Sequence, residues 1–189
     1  NRERIFIVAW YREAIKKTDF KFPFGLDEND EIIFEKEKRD EEAKRICVGN
    51  ILLKEKELQE LEKRDNKTYT ISEKLWSGHK RRRIEHAEKG NGFGYSLFNA
   101  KSPYTSTISA RYYKDGSEIL IEQKESNGRP DRPRKLHPFE AAKLQGYPID
   151  SWYDIPVSDN QAYKQFGNSV SVPVVKTLAK EIIRQLLTI

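Results

Sequence analysis

From Pro173 onward, Val174, Val175, Leu178, Ile182, Ile183 and Leu186 recur at helical spacing, so a closing helix that starts near Pro173 gathers them into one apolar stripe. That stripe is wide for a helix resting on a surface, and it predicts packing beneath a larger body. A chain of 189 residues supplies one ordinary core with at most a small satellite. At the other end, Ile5 to Trp10 is a short apolar run that reads as a strand buried on both faces.

Charge narrows the function classes. Charged residues make up 34% of the chain, and no apolar run approaches the ~20 residues that cross a bilayer, which argues against a membrane partner and predicts a cytoplasmic protein. The opening NRERIFIVAW has charges ahead of apolar residues, but the run is too short for a signal peptide and no small-residue cleavage site follows. With Cys47 as the one cysteine, an internal disulfide is excluded and no cysteine and histidine cluster offers a metal site. His79 and His86 are seven apart and do not make a metal pair. The net charge of +5 fits nucleic-acid binding, though many basic proteins bind none. Its distribution says more: residues 27–42 hold nine acids against three bases, whereas 79–89, HKRRRIEHAEK, hold five bases against two acids. The absence of methionine, and an opening on Asn1 inside what reads as a strand, give the expectation that the chain is a piece of a longer protein.

Residues 11–45 are polar and mixed, broken at Pro23 and Gly25, and read as an excursion over the surface. ILLKEKELQELEKR, 51–64, has the spacing of a short amphipathic helix. Thr70 or Ser72 caps a helix that ends at Gly90, with Leu75, Trp76 and His79 on its inner side. Residues 90–117, rich in glycine, aromatics and hydroxyls, read as loops and short strands. Lys114 to Gly116 form a hairpin turn before a strand at 118–122. A loose linker, ESNGRPDRPRK, precedes a helix with Pro138 at its first position, Glu140 helping to cap it and Gly146 at its end.

Three segments, in order, resemble the DNA cytosine-5 methyltransferases. NRERIFIVAW is similar to that family's eighth motif, RPRKLHPFEAAKLQGYP to its ninth and QAYKQFGNSVSVPVV to its tenth. Between them, GNGFGYSLF and TISARYYKDGSEILI resemble the recognition region of the Dcm-type bacterial branch. The likeness covers residues 1–11 and 68–187 and leaves 12–67 unplaced. It implies an α/β fold: the carboxy-terminal part of a Rossmann-like methyltransferase domain, with residues 1–11 its last strand and 136–189 returning to it, plus a small mixed α/β target-recognition domain over 12–135. It further implies transfer of a methyl group from S-adenosylmethionine to carbon 5 of a cytosine flipped out of double-stranded DNA, in a restriction-modification or Dcm-like system. The family's nucleophile lies in a proline and cysteine pair. Cys47 lies in RICVGN and reads instead as a small apolar residue in a strand, and the family's glycine-rich cofactor loop is also missing. The chain alone is therefore expected to be inactive, its partner being the amino-terminal catalytic part of the same enzyme or a separate subunit. A non-catalytic DNA-binding subunit and an RNA cytosine-5 methyltransferase are the rival readings.

The resemblance places Arg4 against the ring oxygen of the flipped cytosine and Arg2 beside it as the catalytic contributions of this chain. It places Asn168, Ser169 and Val170, in a sharp turn before the last helix, on the carboxylate or ribose end of the cofactor. Thr107, Ser109 and Arg111 alternate along one expected strand face and suit phosphate contact. Lys80, Arg81, Arg82 and Arg83 offer salt-sensitive backbone attraction, or simply a solvated helix face. Phe93 and Tyr95, beside Gly92 and Gly94, either enter the gap left by the flipped base or pack into the core. Arg134 matches the arginine of the ninth motif and is expected to brace the recognition region. His137 replaces the threonine common before the proline.

Overall fold

Two of the helices begin where a serine side chain covers a free amide. The computed structural model describes residues 5–11, 13, 18–92, 94–123, 131–149 and 154–187. Among these run β1 (Gly25–Leu26), β2 (Ile32–Ile33), α1 (Lys36–Lys44), α2 (Glu55–Asp65), α3 (Glu73–Glu88), β3 (Leu97–Phe98), β4 (Leu120–Ile121), α4 (Pro138–Leu144), α5 (Asp159–Asn168) and α6 (Val172–Leu187). Ser72 caps α3 by accepting from the Leu75 amide, and Ser158 caps α5. At α4, Pro138 sits at the start, Glu140 accepts from the His137 amide, and Gly146 closes the helix at φ 82°. The chain divides into two compact units, residues 47–169 and residues 1–46 with 170–189.

The larger unit is organised around buried tyrosines. Tyr112 donates to the Ile119 carbonyl at 2.7 Å and accepts from the Leu136 amide at 2.8 Å, while Tyr163 donates to the Leu136 carbonyl at 2.6 Å. Their rings meet edge-on at 5.1 Å. Both hydroxyls are thus satisfied out of solvent, and burial holds both well above the usual phenol range. Ile108, Ile119, Ile121, Ala141, Ala142, Ala162 and Phe166 pack around them. β3 and β4 pair in parallel, Leu97 with Leu120 and Phe98 with Ile121. Residues 133–135 lie beside β4 on one side and 69–71 on the other.

Close approach in this core depends on Gly167. A β-carbon at that position would stand 2.3 Å from the carbonyl carbon and oxygen of Ser109, so only glycine lets α5 lie against the 109–110 peptide.

The hairpin turn expected at 114–116 is a different object. Residues 110–115 coil in turns, Gly116 takes φ 65°, and β4 pairs in parallel with the earlier strand β3 rather than antiparallel with the segment just before the turn. Thr107, Ser109 and Arg111 lie in no strand: 107–109 are irregular, residues 110 and 111 are in a turn, and among the described residues no segment pairs with them. Cys47 likewise lies in no strand: it precedes a 3-10 turn at Val48–Asn50, where the Asn50 side chain accepts from its amide.

In the smaller unit, the stretch expected as a surface excursion holds a hairpin and a helix. β1 and β2 are antiparallel, joined by a turn in which Asp27 accepts from the Asn29 and Glu31 amides. Asp30, at φ 66°, receives Lys176 and Lys180 of α6, each at 2.6 Å. Residues 5–10 are not a strand, and Ile5 and Ile7 are 91% and 87% exposed; among the described residues no strand pairs with them. α6 itself meets the expectation only in part. It buries Thr177, Glu181 and Gln185, whereas Val174, Val175, Ile183 and Leu186 face solvent. The buried polar groups satisfy one another: Gln185 donates to Glu181 at 2.8 Å, Thr18 donates to Gln185 at 2.7 Å, and Arg184 forks onto Glu181. Leu178 and Ile182 of the stripe are half-buried, Leu178 lining a hollow with Phe22, Phe24 and Ile33, so four of its six residues stand exposed. The result is a mixed α/β fold with two two-stranded sheets; a Rossmann-like sheet is not assembled among the described residues.

Candidate nucleic-acid interface

α3 carries the basic run, and the structure divides its four cations into two kinds. Lys80 lies over the Trp76 ring at 5.5 Å and Arg83 over the Tyr95 ring at 4.8 Å, while the two rings meet edge-on at 4.7 Å. Gly94 permits this, since a β-carbon there would press on the Arg83 side chain at 3.2 Å. Arg82 turns inward, to His79 Nδ1 at 2.8 Å and Asp115 at 3.3 Å, and Arg81 pairs with Glu85 at 3.4 Å. His79 is buried against Tyr95, and desolvation holds its pKa below the ordinary imidazole value. With Arg82 donating to Nδ1, the proton of the neutral ring sits on Nε2, 3.4 Å from the Asp115 carbonyl. All four cations are exposed; Lys80 and Arg83 are the two seated on aromatic rings, while Arg82 also braces His79 and Asp115.

Thr107 and Arg111 are exposed. Ser109 is committed: its hydroxyl donates to Glu118 and accepts from the Arg111 amide at 3.1 Å. Tyr95 is half-buried between Trp76 and Arg83, which makes it packing rather than a ring presented to solvent. Phe93, Arg2 and Arg4 lie outside the described residues. Asn168 ends α5 with its side chain exposed, and Val170 is 42% exposed. The Ser169 hydroxyl donates to the Phe166 carbonyl at 2.8 Å, so it closes the helix.

Sequence reasoning missed a hollow of about 440 Å³ lined by Trp76, Leu97, Asn99, Glu122, Gln123 and Arg132. Its residues come from α3, β3, the end of β4 and the start of the ninth-motif segment, and no local pattern joins them. Arg134 and Glu140 form a buried pair beneath the unit, with Glu140 also accepting from the Leu53 amide at 2.8 Å. Among the described residues no three histidine, cysteine, aspartate or glutamate side chains gather as a metal site, and no helix is long and apolar enough to cross a membrane.

A family profile described as C-5 cytosine-specific DNA methylase matches residues 1–184. Type II methyltransferase M.SsoII of Shigella sonnei is 51% identical over 187 residues, covering 98% of this chain and 41% of that protein. Type II methyltransferase M1.ScrFI of Lactococcus lactis subsp. cremoris is 48% identical over 187 residues, covering 98% and 40%. The chain thus spans about two fifths of the length of these relatives. The fold is similar to the crystal structure of S. pombe Dnmt2 methyltransferase, with a TM-score of 0.55 at 16% identity over 75% of this chain and 43% of that one.

Proposed function

The chain belongs to the C-5 cytosine-specific DNA methylase family, and from that premise we propose that it is the DNA-recognising, cofactor-site-completing part of a DNA (cytosine-5)-methyltransferase of the restriction-modification type. The observation that carries this reading is the face of α3, where Lys80 and Arg83 stand exposed on the Trp76 and Tyr95 rings. Cations held on aromatic bases lose little freedom when they engage phosphate, and such contacts fix a protein on a duplex without reading its sequence. Thr107 and Arg111 extend the same role; Ser109, occupied by Glu118, does not. Tyr95 serves as the seat of Arg83.

S-adenosylmethionine, when bound, supplies the methyl group. The exposed side-chain amide of Asn168 and the exposed Val170 fit such a group, offering a hydrogen-bonding amide and an apolar contact. Asn168 stands at the carboxy-terminal end of α5, where the helix dipole is negative, so it suits the ribose hydroxyls better than the carboxylate. Arg2 and Arg4, on the motif they resemble, meet the flipped cytosine and offset part of the few kcal/mol that extrusion costs. In this reading the part of the longer enzyme outside this chain covers the exposed residues of α6 together with Ile5 and Ile7, and it supplies the cysteine.

The test is methyl transfer by the longer protein. Labelled methyl should reach duplex DNA at a defined sequence and protect it from a matching nuclease, and Arg4→Ala should lower kcat sharply. Transfer to transfer RNA but not to duplex DNA would replace this reading with the RNA enzyme. No transfer to either would leave the non-catalytic subunit.

A further inference from the structure

We infer that the hollow between Trp76, Glu122 and Arg132 reads one C·G base pair of duplex DNA. In this assignment Glu122 accepts from the cytosine N4 amine, and Arg132 donates to guanine O6 and N7. It rests on the reading of this chain as the DNA-recognising part.

Both polar groups are held in place rather than left to swing. The Asn99 amide donates to a Glu122 carboxylate oxygen at 3.0 Å, and the carbonyl oxygen of the Asn99 side chain is itself held by the Lys101 amide at 3.0 Å. Glu122 remains exposed, an acceptor aimed from a fixed base. Arg132 is anchored at Nε, which donates to the Ile71 carbonyl at 3.0 Å. Its Nη1 touches Glu73, a largely exposed side chain, at 3.3 Å, while Nη2 has no partner among the described residues. The Nε bond sets the plane of the guanidinium and leaves its outer edge available. Two kinds of bond keep the walls together: the Gln123 side-chain amide donates to the Arg132 carbonyl at 2.8 Å, and Ile121 and Arg134 exchange two backbone bonds.

The chemistry of the edges selects the ligand. A carboxylate suits the cytosine N4 donor and a guanidinium suits the O6 and N7 acceptors of guanine; a C·G pair presents both in the major groove. Trp76 and Leu97 give the hollow an apolar floor, and Trp76 is also the ring beneath Lys80, so the hollow borders the proposed phosphate-gripping face.

The experiment uses the longer enzyme. Methyl transfer is measured on the cognate duplex and on duplexes with each base pair of the site replaced in turn, for the wild type, Glu122→Gln and Arg132→Gln. Each variant should lose roughly 5- to 150-fold in kcat/KM on the cognate duplex, and both should flatten the preference at the same base-pair position. A variant that lowers activity equally on every duplex, or keeps the wild-type preference at every position, overturns the assignment. If Arg132→Gln fails to fold for want of its bond to Ile71, Glu122→Gln decides alone, since its side chain is exposed. A wild type that methylates no duplex defeats the underlying functional reading, a result distinct from intact methylation with unchanged preference in the variants.

Discussion

The guanidinium of Arg134 grips the carboxylate of Glu140 through two bonds, of 2.6 and 2.8 Å, and both side chains are out of solvent. The same carboxylate accepts from the backbone amides of Leu53 and His137 at 2.8 Å each. One buried anion therefore ties residues 53, 134 and 137 together. Arg134→Met and Glu140→Gln should each cost about 3–5 kcal/mol by stranding the remaining charge or amides. A double apolar replacement often restores stability at buried pairs, but here it leaves two amides without an acceptor and should not. Urea midpoints of the two single variants and the double variant check this, and recovery in the double variant would contradict it.

His137 gives the chain an acid limb. Burial pushes its pKa down to about 4, and its Nδ1 accepts from the Phe139 amide at the head of α4. The unfolded value lies near 6.5, so the unfolded chain binds the proton more readily; stability is complete above about pH 6.5 and falls as pH drops toward 4, by about 3 kcal/mol at most. His79, also held neutral by burial, acts in the same direction. His137→Asn retains a cap acceptor that does not titrate, and its stability between pH 6.5 and 4 should fall less than the wild type's. Parallel pH profiles would refute the assignment.

Two glycines in helices should respond oppositely to alanine. Gly167→Ala drives a methyl group into the Ser109 peptide and should cost about 1–3 kcal/mol or more. Gly78, inside α3, has nothing within 4 Å of an added β-carbon, and Gly78→Ala should stabilise by about 0.5–1 kcal/mol. Thermal midpoints of the two variants give the signs directly.

The exposed part of the α6 stripe should matter to assembly and little to this chain's own fold. Val175→Asp and Ile183→Asp alter solvent-facing positions and should change its stability by no more than about 0.5 kcal/mol. Co-expressed with the amino-terminal part of the longer protein, they should reduce recovery of the complex and of methyl transfer. Undiminished recovery would show that something else makes the contact.

Salt should separate the cations of α3. Lys80→Ala removes an exposed charge and should make DNA binding less salt-dependent by about one unit of log–log slope. Arg82→Ala removes the strut to Asp115 and His79 and should act mainly on stability, a difference visible when binding isotherms at several salt concentrations are set beside melting curves.

Much of this arrangement was legible in the residues, and the rest was not, for a physical reason. Ser72 before α3, Pro138 and Glu140 at the head of α4, and Gly90 and Gly146 beyond helix ends act within one turn of chain, so the sequence alone determined them. Motif spacing likewise sufficed to assign the family. Tertiary structure decided what depends on distant partners: the parallel pairing of β3 with β4, the α5 helix pressed through Gly167 onto Ser109, the seating of two of α3's cations on aromatic rings, and the walls of the hollow around Trp76. Above all it decided which face of α6 is buried. Periodicity shows that a helix has an apolar stripe, but burial depends on what is present to cover it, and among the described residues Thr177, Glu181 and Gln185 are buried while four of the six stripe residues stand exposed.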